Sequence, residues 1–305
     1  MNNIRSDQSL GDRNFRRFAL TFPHLRFELS SNIRSTESSK TNRSMTIRRC
    51  IHREQVASKA VPPSRWLTVA VWLAAIALPA HAMEQAVPDT PSPRLVTTAQ
   101  KPEDFVPNGW KLELQAKGDL NGDGRDDLVL VLRDNDPANV ISHDGMCENP
   151  FDANPRILVV AFAQPDGRYA LTLRNETLIP TRDTPCMDDM LQNGGVSVSR
   201  GALRVTLSRF SSAGGWEMGS TTYTFRWQDG NFMLIGYDDS SVMRNSGDMR
   251  TLSVNFSTGK AKASTGSAFK DCEHTQWMKL RTQRRWTLDQ VGDGAEFGGT
   301  LLAIE

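Results

Sequence analysis

Catalytic signatures are what this sequence most conspicuously lacks. Of its five histidines only His143 and His274 lie beyond residue 82. No H-E-x-x-H, G-x-S-x-G or phosphate-binding glycine loop occurs anywhere in the chain, which excludes the commonest metal-assisted, nucleophilic and phosphoryl-transfer chemistries. Two acidic doublets remain, Asp188-Asp189 and Asp238-Asp239. Neighbouring residues on an extended strand point to opposite faces, so neither doublet offers the paired carboxylates of a glycosidase. His274 beside Glu273 reads as a surface pair. The chain is expected not to be an enzyme.

Long apolar runs are equally scarce. The longest, Trp66 to Leu78, has thirteen residues, short of the roughly twenty that cross a bilayer as a helix. Basic residues precede it, and Pro79 and then Ala80-His81-Ala82 follow, the order of a cleavable secretory signal. Cutting after Ala82 leaves Met83 first and no cysteine for a lipid anchor. Residues 1–65 are rich in Arg, Ser and Asn without an apolar period, so they read as a disordered basic extension. Met45, followed by Arg48 and Arg49, is the more natural initiator and would leave 1–44 untranslated. A periplasmic destination is expected.

Loss of residues 1–82 reverses the balance of charge. The remaining chain holds 23 Lys and Arg against 30 Asp and Glu. An acidic protein is a poor nucleic-acid binder and a better match for basic partners. Three cysteines stay with it: Cys147, Cys186 and Cys272. In an oxidising compartment two are expected to pair. Cys147 and Cys186 are the expected pair, because both lie in Pro- and Asp-rich loops that approach each other without distorting a sheet. No spacing suits zinc.

Residues 83–104 contain Pro88, Pro91, Pro93 and Pro102 and read as a linker, with the folded domain spanning 105–305. Period-two alternation predicts strands over 127–133, 156–163, 169–174, 196–200, 203–210, 221–227, 232–237, 251–256 and 260–263. Turn pairs such as Asp166-Gly167, Arg200-Gly201, Asp229-Gly230 and Thr258-Gly259 stand between several of them. The expected fold class is all-β: one antiparallel, hairpin-built domain, either a sandwich or a small propeller-like meander.

Asp119-Leu120-Asn121-Gly122-Asp123-Gly124-Arg125-Asp126-Asp127 fits the start of a calcium loop. Asp119, Asn121 and Asp123 are the expected side-chain ligands of Ca2+, Arg125 offers its carbonyl, and Asp127 ligates directly or through water. Leu130 stands where an EF-hand carries its bidentate Glu, and a strand replaces the exiting helix, so a structural site is expected. The segment resembles the calcium loops of extracellular FG-GAP and VCBS-type repeat proteins, which implies a β-rich extracellular setting.

Between two predicted strands lies Phe210-Ser211-Ser212-Ala213-Gly214-Gly215-Trp216-Glu217-Met218-Gly219-Ser220-Thr221-Thr222-Tyr223. Small residues and paired glycines suit a thin protruding loop, with Trp216 as an anchor. Ser followed by glycines, then Tyr on the next strand, is similar to the inhibitory loop of bacterial periplasmic lysozyme inhibitors. Together with the signal, the calcium loop, Asn154 to Leu158, Asp188-Asp189 and Ile235 to Asp238, it resembles a periplasmic immunity protein against a lysozyme-like effector of an antibacterial type IV secretion system. That resemblance implies that Ser211, Ser212, Gly214, Gly215 and Glu217 enter the enzyme's cleft, Trp216 touches its rim, and Tyr223, Tyr237 and Ser240 to Arg244 support or flank them. The expected partner is a lysozyme-like peptidoglycan hydrolase. The competing expectation is a non-catalytic FG-GAP/VCBS-like envelope or adhesion module.

Overall fold

The computed structural model describes residues 90–280 and 284–302. The expected extension over 1–65, the signal over 66–82 and the first part of the expected linker lie outside the described residues, as does the side chain of Cys272. In chain order the strands are β1 (Thr98–Ala99), β2 (Trp110–Gly118), β3 (Asp127–Asp134), β4 (Val140–Ile141), β5 (Phe151–Asp152), β6 (Arg156–Ala163) and β7 (Tyr169–Asn175). They continue with β8 (Gly195–Ser199), β9 (Ala202–Phe210), β10 (Glu217–Gln228), β11 (Asn231–Met243), β12 (Asp248–Asn255), β13 (Lys260–Ser267) and β14 (Lys270–Lys279). Two short helices follow, α1 (Leu288–Val291) and α2 (Phe297–Leu302).

Strands β8 to β14 form a seven-stranded meander in sequence order, curled as a half-barrel. A five-stranded sheet of order β1-β7-β6-β3-β2 packs on it, and β4 and β5 make a separate pair. Every pairing is antiparallel. The fold is therefore an all-β sandwich, and the propeller alternative falls. The turns follow from local chemistry. At Asp229-Gly230 both φ values are positive, 52° and 76°, as a two-residue hairpin turn demands.

The runs of β3 (DLVLVLRD) and β6 (RILVVAFA) are apolar at nearly every position because both faces of these strands are covered. Val129, Val131, Leu158 and Val160 join the core shared with Leu203, Val205, Leu207, Tyr223 and Phe225 of the second sheet. Leu128, Leu130, Leu132, Ile157 and Val159 face the other way, onto Ala99 and Phe105, with Leu95 and Val106 alongside. This last contact corrects the expected domain start at Phe105. Part of the expected linker, 95–104, forms with Phe105 a cover for the first sheet, because the outward row of β3 and β6 would otherwise be bare hydrocarbon. Where the sheets meet, a Cβ on Gly118 of β2 would lie 2.7 Å from Val198 Cγ1 of β8, so glycine permits the close approach.

The last described segment plugs the curled sheet. Trp286, Leu288, Val291 and Phe297 are buried in the shared core. Tyr223 donates its hydroxyl to the Gly294 carbonyl at 2.7 Å, and the Tyr237 ring meets Phe297 at 5.8 Å. Burial, with Asp239 nearby, pushes the Tyr237 hydroxyl up to about 12.

A buried guanidinium lies at the start of β6 in the first sheet. The Arg156 side chain is 3% exposed and pairs through Nε with Glu113 of β2 at 2.6 Å and through Nη2 with Asp189 at 2.5 Å. Arg133 joins the same carboxylates and reaches Asp152 at 2.9 Å. Burial works against the charge of Asp189, but the Arg156 guanidinium, the Leu191 N–H and Arg133 outweigh it and hold its carboxyl below the usual range. Asp152 is likewise depressed: burial opposes, but Asn154, through its backbone and side chain, and Arg133 prevail. Both carboxyls are depressed relative to the unfolded chain, so they contribute stability above an unfolded pKa of about 3.9. That contribution is lost as pH falls through the lower folded values. Arg156→Met leaves the half-buried Glu113 and Asp189 with Arg133 as their one cation and is expected to cost about 3 kcal/mol at pH 7, with a smaller cost near pH 3, where the carboxyls protonate. Urea melts of both proteins at the two pH values check this; an equal cost at both would refute the ion-pair account.

Candidate functional site

The connection from β9 to β10 runs from Ser211 to Trp216, shorter than the loop the sequence suggested, because Glu217 already begins β10. It is braced on two sides. On one side stands Arg244, just past β11. Its Nη2 donates to the carbonyls of Ser211 at 2.6 Å and Gly215 at 2.8 Å, and its Nε donates to that of Trp216 at 3.3 Å. Its own backbone N–H donates to the same Trp216 carbonyl at 2.8 Å. The guanidinium also lies over the Phe210 ring, 4.5 Å from the centroid, and 5.8 Å from that of Trp216. A planar cation with several donors satisfies three loop carbonyls and two rings at once, which a lysine could not do.

On the other side stands the disulfide-bonded segment. Cys147 and Cys186 are bridged with their Cα atoms 5.0 Å apart. The Cys186 carbonyl accepts the N–H of Ser212 at 2.9 Å and its hydroxyl at 3.2 Å. Met187 forms a bridge with Ser211, and the Asp188 N–H donates to the Phe210 carbonyl at 2.9 Å. Arg182 pairs with Glu148 at 2.7 Å and donates to the Pro185 carbonyl at 2.9 Å, tying both cysteine loops together. Burial, with Glu148 and Asp189 adding negative charge, pushes the Asp188 carboxyl up against the pull of Arg182.

The expected partner-facing residues separate into two groups. Ser212, Gly214, Gly215, Trp216 and Glu217 are exposed, Trp216 to 59%. Ser211 is half-buried, and its hydroxyl donates inward to the Ala213 carbonyl. Tyr223 and Tyr237 are 0% and 3% exposed. Of the residues that the resemblance set to support or flank the loop, these two tyrosines are therefore closed to direct contact with a partner: their register along β10 and β11 turns them into the core, where they pack beneath the sheet. Arg244, which the resemblance set among the residues supporting or flanking the loop, donates to three of its carbonyls. Arg156 and Asp189, which pair at 2.5 Å and hold the segment beside the loop, both lie in segments the sequence singled out, but nothing local in it marked them as partners.

The 119–127 coil lies between β2 and β3. Gly124, at φ +82°, turns the chain so that Asp119 accepts the N–H groups of Gly124 at 2.9 Å and Gly122 at 2.6 Å. These two bonds hold its carboxyl below the usual range. Asn121 donates from its amide to Asp123 at 3.0 Å, and Asp123 pairs with the Arg125 guanidinium. Asp127 is buried and accepts the N–H groups of Leu120 at 2.8 Å and Ala163 at 2.9 Å, stitching the coil to the end of β6. Burial pushes its carboxyl up, and the negative charges of Asp123 and Asp119 add to that.

The donor set fits Ca2+ in type and order. It comprises hard oxygens at alternate positions, each carboxylate oxygen keeping a spare lone pair except Asp123 Oδ2, which already accepts from Asn121 and Arg125, and a mutual repulsion that a divalent cation would offset. Among the described residues, no three His, Cys, Asp or Glu side chains already converge as a ready metal cage. The carboxylates spend part of their capacity on the coil's own N–H groups and on Arg125.

Compared with protein-family models, with curated proteins and with solved structures, the chain has no match. Inference therefore rests on the geometry of the loop and the coil. Arg244→Met keeps an apolar stem over Phe210 but removes the donors. Charge-assisted hydrogen bonds contribute about 1.5–3 kcal/mol each when buried and less at this exposure. Local opening, read as the rate of native-state proteolysis within 211–216, is expected to rise about tenfold with little change in global stability. An unchanged rate would mean that the cysteine segment alone holds the loop.

Proposed function

We propose that this protein is a periplasmic binding inhibitor of a lysozyme-like peptidoglycan hydrolase, with the 211–216 loop as its contact and a calcium ion at 119–127 as a structural stabiliser. The observation that carries the reading is an exposed loop in which the carbonyls of Ser211, Ala213, Gly215 and Trp216 accept hydrogen bonds from within the domain, so that its shape is set before any partner arrives. Pre-organisation lowers the entropy cost of binding. The exposed Trp216 ring beside it is of the kind that dominates binding hot spots.

The mode of contact differs from simple presentation of serine hydroxyls. Ser211 and Ser212 spend their hydroxyls on Ala213 and Cys186, so the groups left for a cleft are the exposed backbone at Gly214 and Gly215 and the Trp216 ring. Backbone N–H groups donate to the carboxylates that a glycan-cleaving cleft must hold. Glu217 lies at the strand start, away from the tip, which removes the like-charge conflict that a third carboxylate in the cleft would create. The net acidic chain beyond residue 82 favours encounter with a basic hydrolase.

For the calcium ion, Asp119, Asn121 and Asp123 would hold it by side chain, Arg125 by its carbonyl and Asp127 directly or through water. The ion would neutralise the acidic coil joining β2 to β3. A ligand at a hundredfold excess over its Kd stabilises by about 2.7 kcal/mol, or roughly 5–10 °C for a domain of this size. EDTA is expected to lower the melting temperature by that amount, and Asp123→Ala to abolish the effect. Insensitivity of the wild-type protein to both calcium and EDTA would remove calcium from the account.

For inhibition, purified protein is expected to stop cell-wall lysis by a susceptible muramidase, including one encoded beside its gene, at stoichiometric amounts. Gly214→Val and Trp216→Ala should weaken inhibition at least tenfold while leaving the melting temperature within a few degrees. Lysis that continues at excess inhibitor, with no complex on size exclusion, would favour the adhesion-module alternative. Inhibition untouched by both substitutions would move the contact away from this loop.

A further inference from the structure

The outward face of the seven-stranded sheet carries a feature unrelated to the loop. Ala261 of β13 and Met278 of β14 face each other on the core side, so their neighbours along the strands point to solvent. Those neighbours are Lys260 opposite Lys279 and Lys262 opposite Trp277. Opposed residues lie about 5 Å apart and alternate residues along a strand about 7 Å apart, so the four side chains occupy the corners of one small tile. Trp277 is 69% exposed, Lys260 and Lys279 are exposed, and Lys262 is half-buried.

Like charges placed directly opposite destabilise a sheet, and here nothing local offsets them. None of the three lysines forms an ion pair among the described residues. Across the row from Lys262 stand Ser253 and then Asp238. That first carboxylate is two strands away and already accepts the Ser253 hydroxyl at 2.6 Å. A concentration of positive charge around a bare indole thus sits on a chain that is acidic beyond residue 82. The flanking row holds hydroxyls, with Thr251, Ser264 and Thr275 in register on the same face; Ser264 is buried and bonded to Thr275 at 2.9 Å, Thr275 also donates to Glu273 further along β14 at 3.3 Å, and Thr251 and Thr275 are exposed.

We propose that this tile binds an anionic glycan, with a sugar ring stacked on Trp277 and its carboxylate or phosphate groups held by Lys260, Lys262 and Lys279. The charge complementarity selects an anion. The flat indole, bordered by hydroxyls, selects a ligand with ring faces and many hydroxyls over a simple ion. The site is independent of the inhibitor reading: it lies on the β13–β14 edge and uses no residue of the 211–216 loop.

The test is isothermal titration of the full protein with polygalacturonate, a carboxylated glycan, and with a phosphorylated mannan, using neutral dextran and single-stranded DNA as comparisons. Binding to at least one anionic glycan is expected, weakening with salt as counterion release requires. Trp277→Ala should weaken it about tenfold, and a Lys262→Ala/Lys279→Ala double variant should both weaken it and flatten the salt dependence. All these positions are on the surface, so melting temperatures should stay unchanged. Preference between the two glycans identifies carboxylate or phosphate as the anchored group. The proposal is overturned by absence of binding to either glycan, by equal binding of dextran, by tighter binding of DNA, or by variants that bind like the wild type.

Discussion

Arg156 is the charge on which the arrangement of this molecule turns. A guanidinium with 3% side-chain exposure is tolerable only when carboxylates surround it, because desolvation of an unmatched ion costs several kcal/mol. Glu113 comes from β2 at the edge of the same sheet and Asp189 from a segment outside any strand, so satisfying Arg156 draws that segment onto the body of the domain. Once it is there, Asp188 hydrogen-bonds to Phe210, Met187 bridges Ser211 and Cys186 receives Ser212. The exposed loop is thus rigid at its first half because a buried ion pair three residues from the disulfide demands it. Arg244 performs the same service for the second half from the opposite flank.

The two regions of functional interest lie at different ends of this economy. The 211–216 loop is held by one cation, Arg244, that donates into its carbonyls, leaving its outer face unengaged. The 119–127 coil is held by anions that accept from its N–H groups, leaving an excess of negative charge. Asp127 is the link between coil and core, since its two oxygens fasten Leu120 and Ala163 while its own carboxyl is pushed up by burial and by its neighbours. A cation at the coil would relieve the like-charge part of that, which is why a metal there is read as support for the fold and the loop as the contact.

The strands of this fold were largely legible in the sequence, since each of the predicted runs falls on an observed strand and departs from it, where it does, at the ends. The strands passed over and the longest extensions have physical causes. The bulge between Leu112 and Leu114 breaks the alternation of β2, so a period-two reading passes over it. Strand β14, KDCEHTQWMK, is an edge strand whose charges guard its unpaired side, and it has too few apolar residues to alternate. β10 and β11 extend beyond their apolar stretches because backbone pairing continues through Ser and Thr residues once the hairpin is started. The cover formed by Leu95, Ala99 and Phe105 hid among prolines, although the unbroken apolar runs of β3 and β6 already required something to lie over their second face.

The sequence alone determined the all-β class, the hairpin turns, the order of oxygen donors in the acidic coil, and the presence of a small-residue loop with a tryptophan, because each is written in local periodicity or local spacing. Only the tertiary structure decided for a sandwich over a propeller, since that choice depends on which strand faces touch. It also decided that Tyr223 and Tyr237 face inward and that Arg244 and Cys186 hold the loop. These depend on register and on contacts between residues 26 to 33 positions apart, separations at which one-dimensional pattern carries no information about which groups will meet.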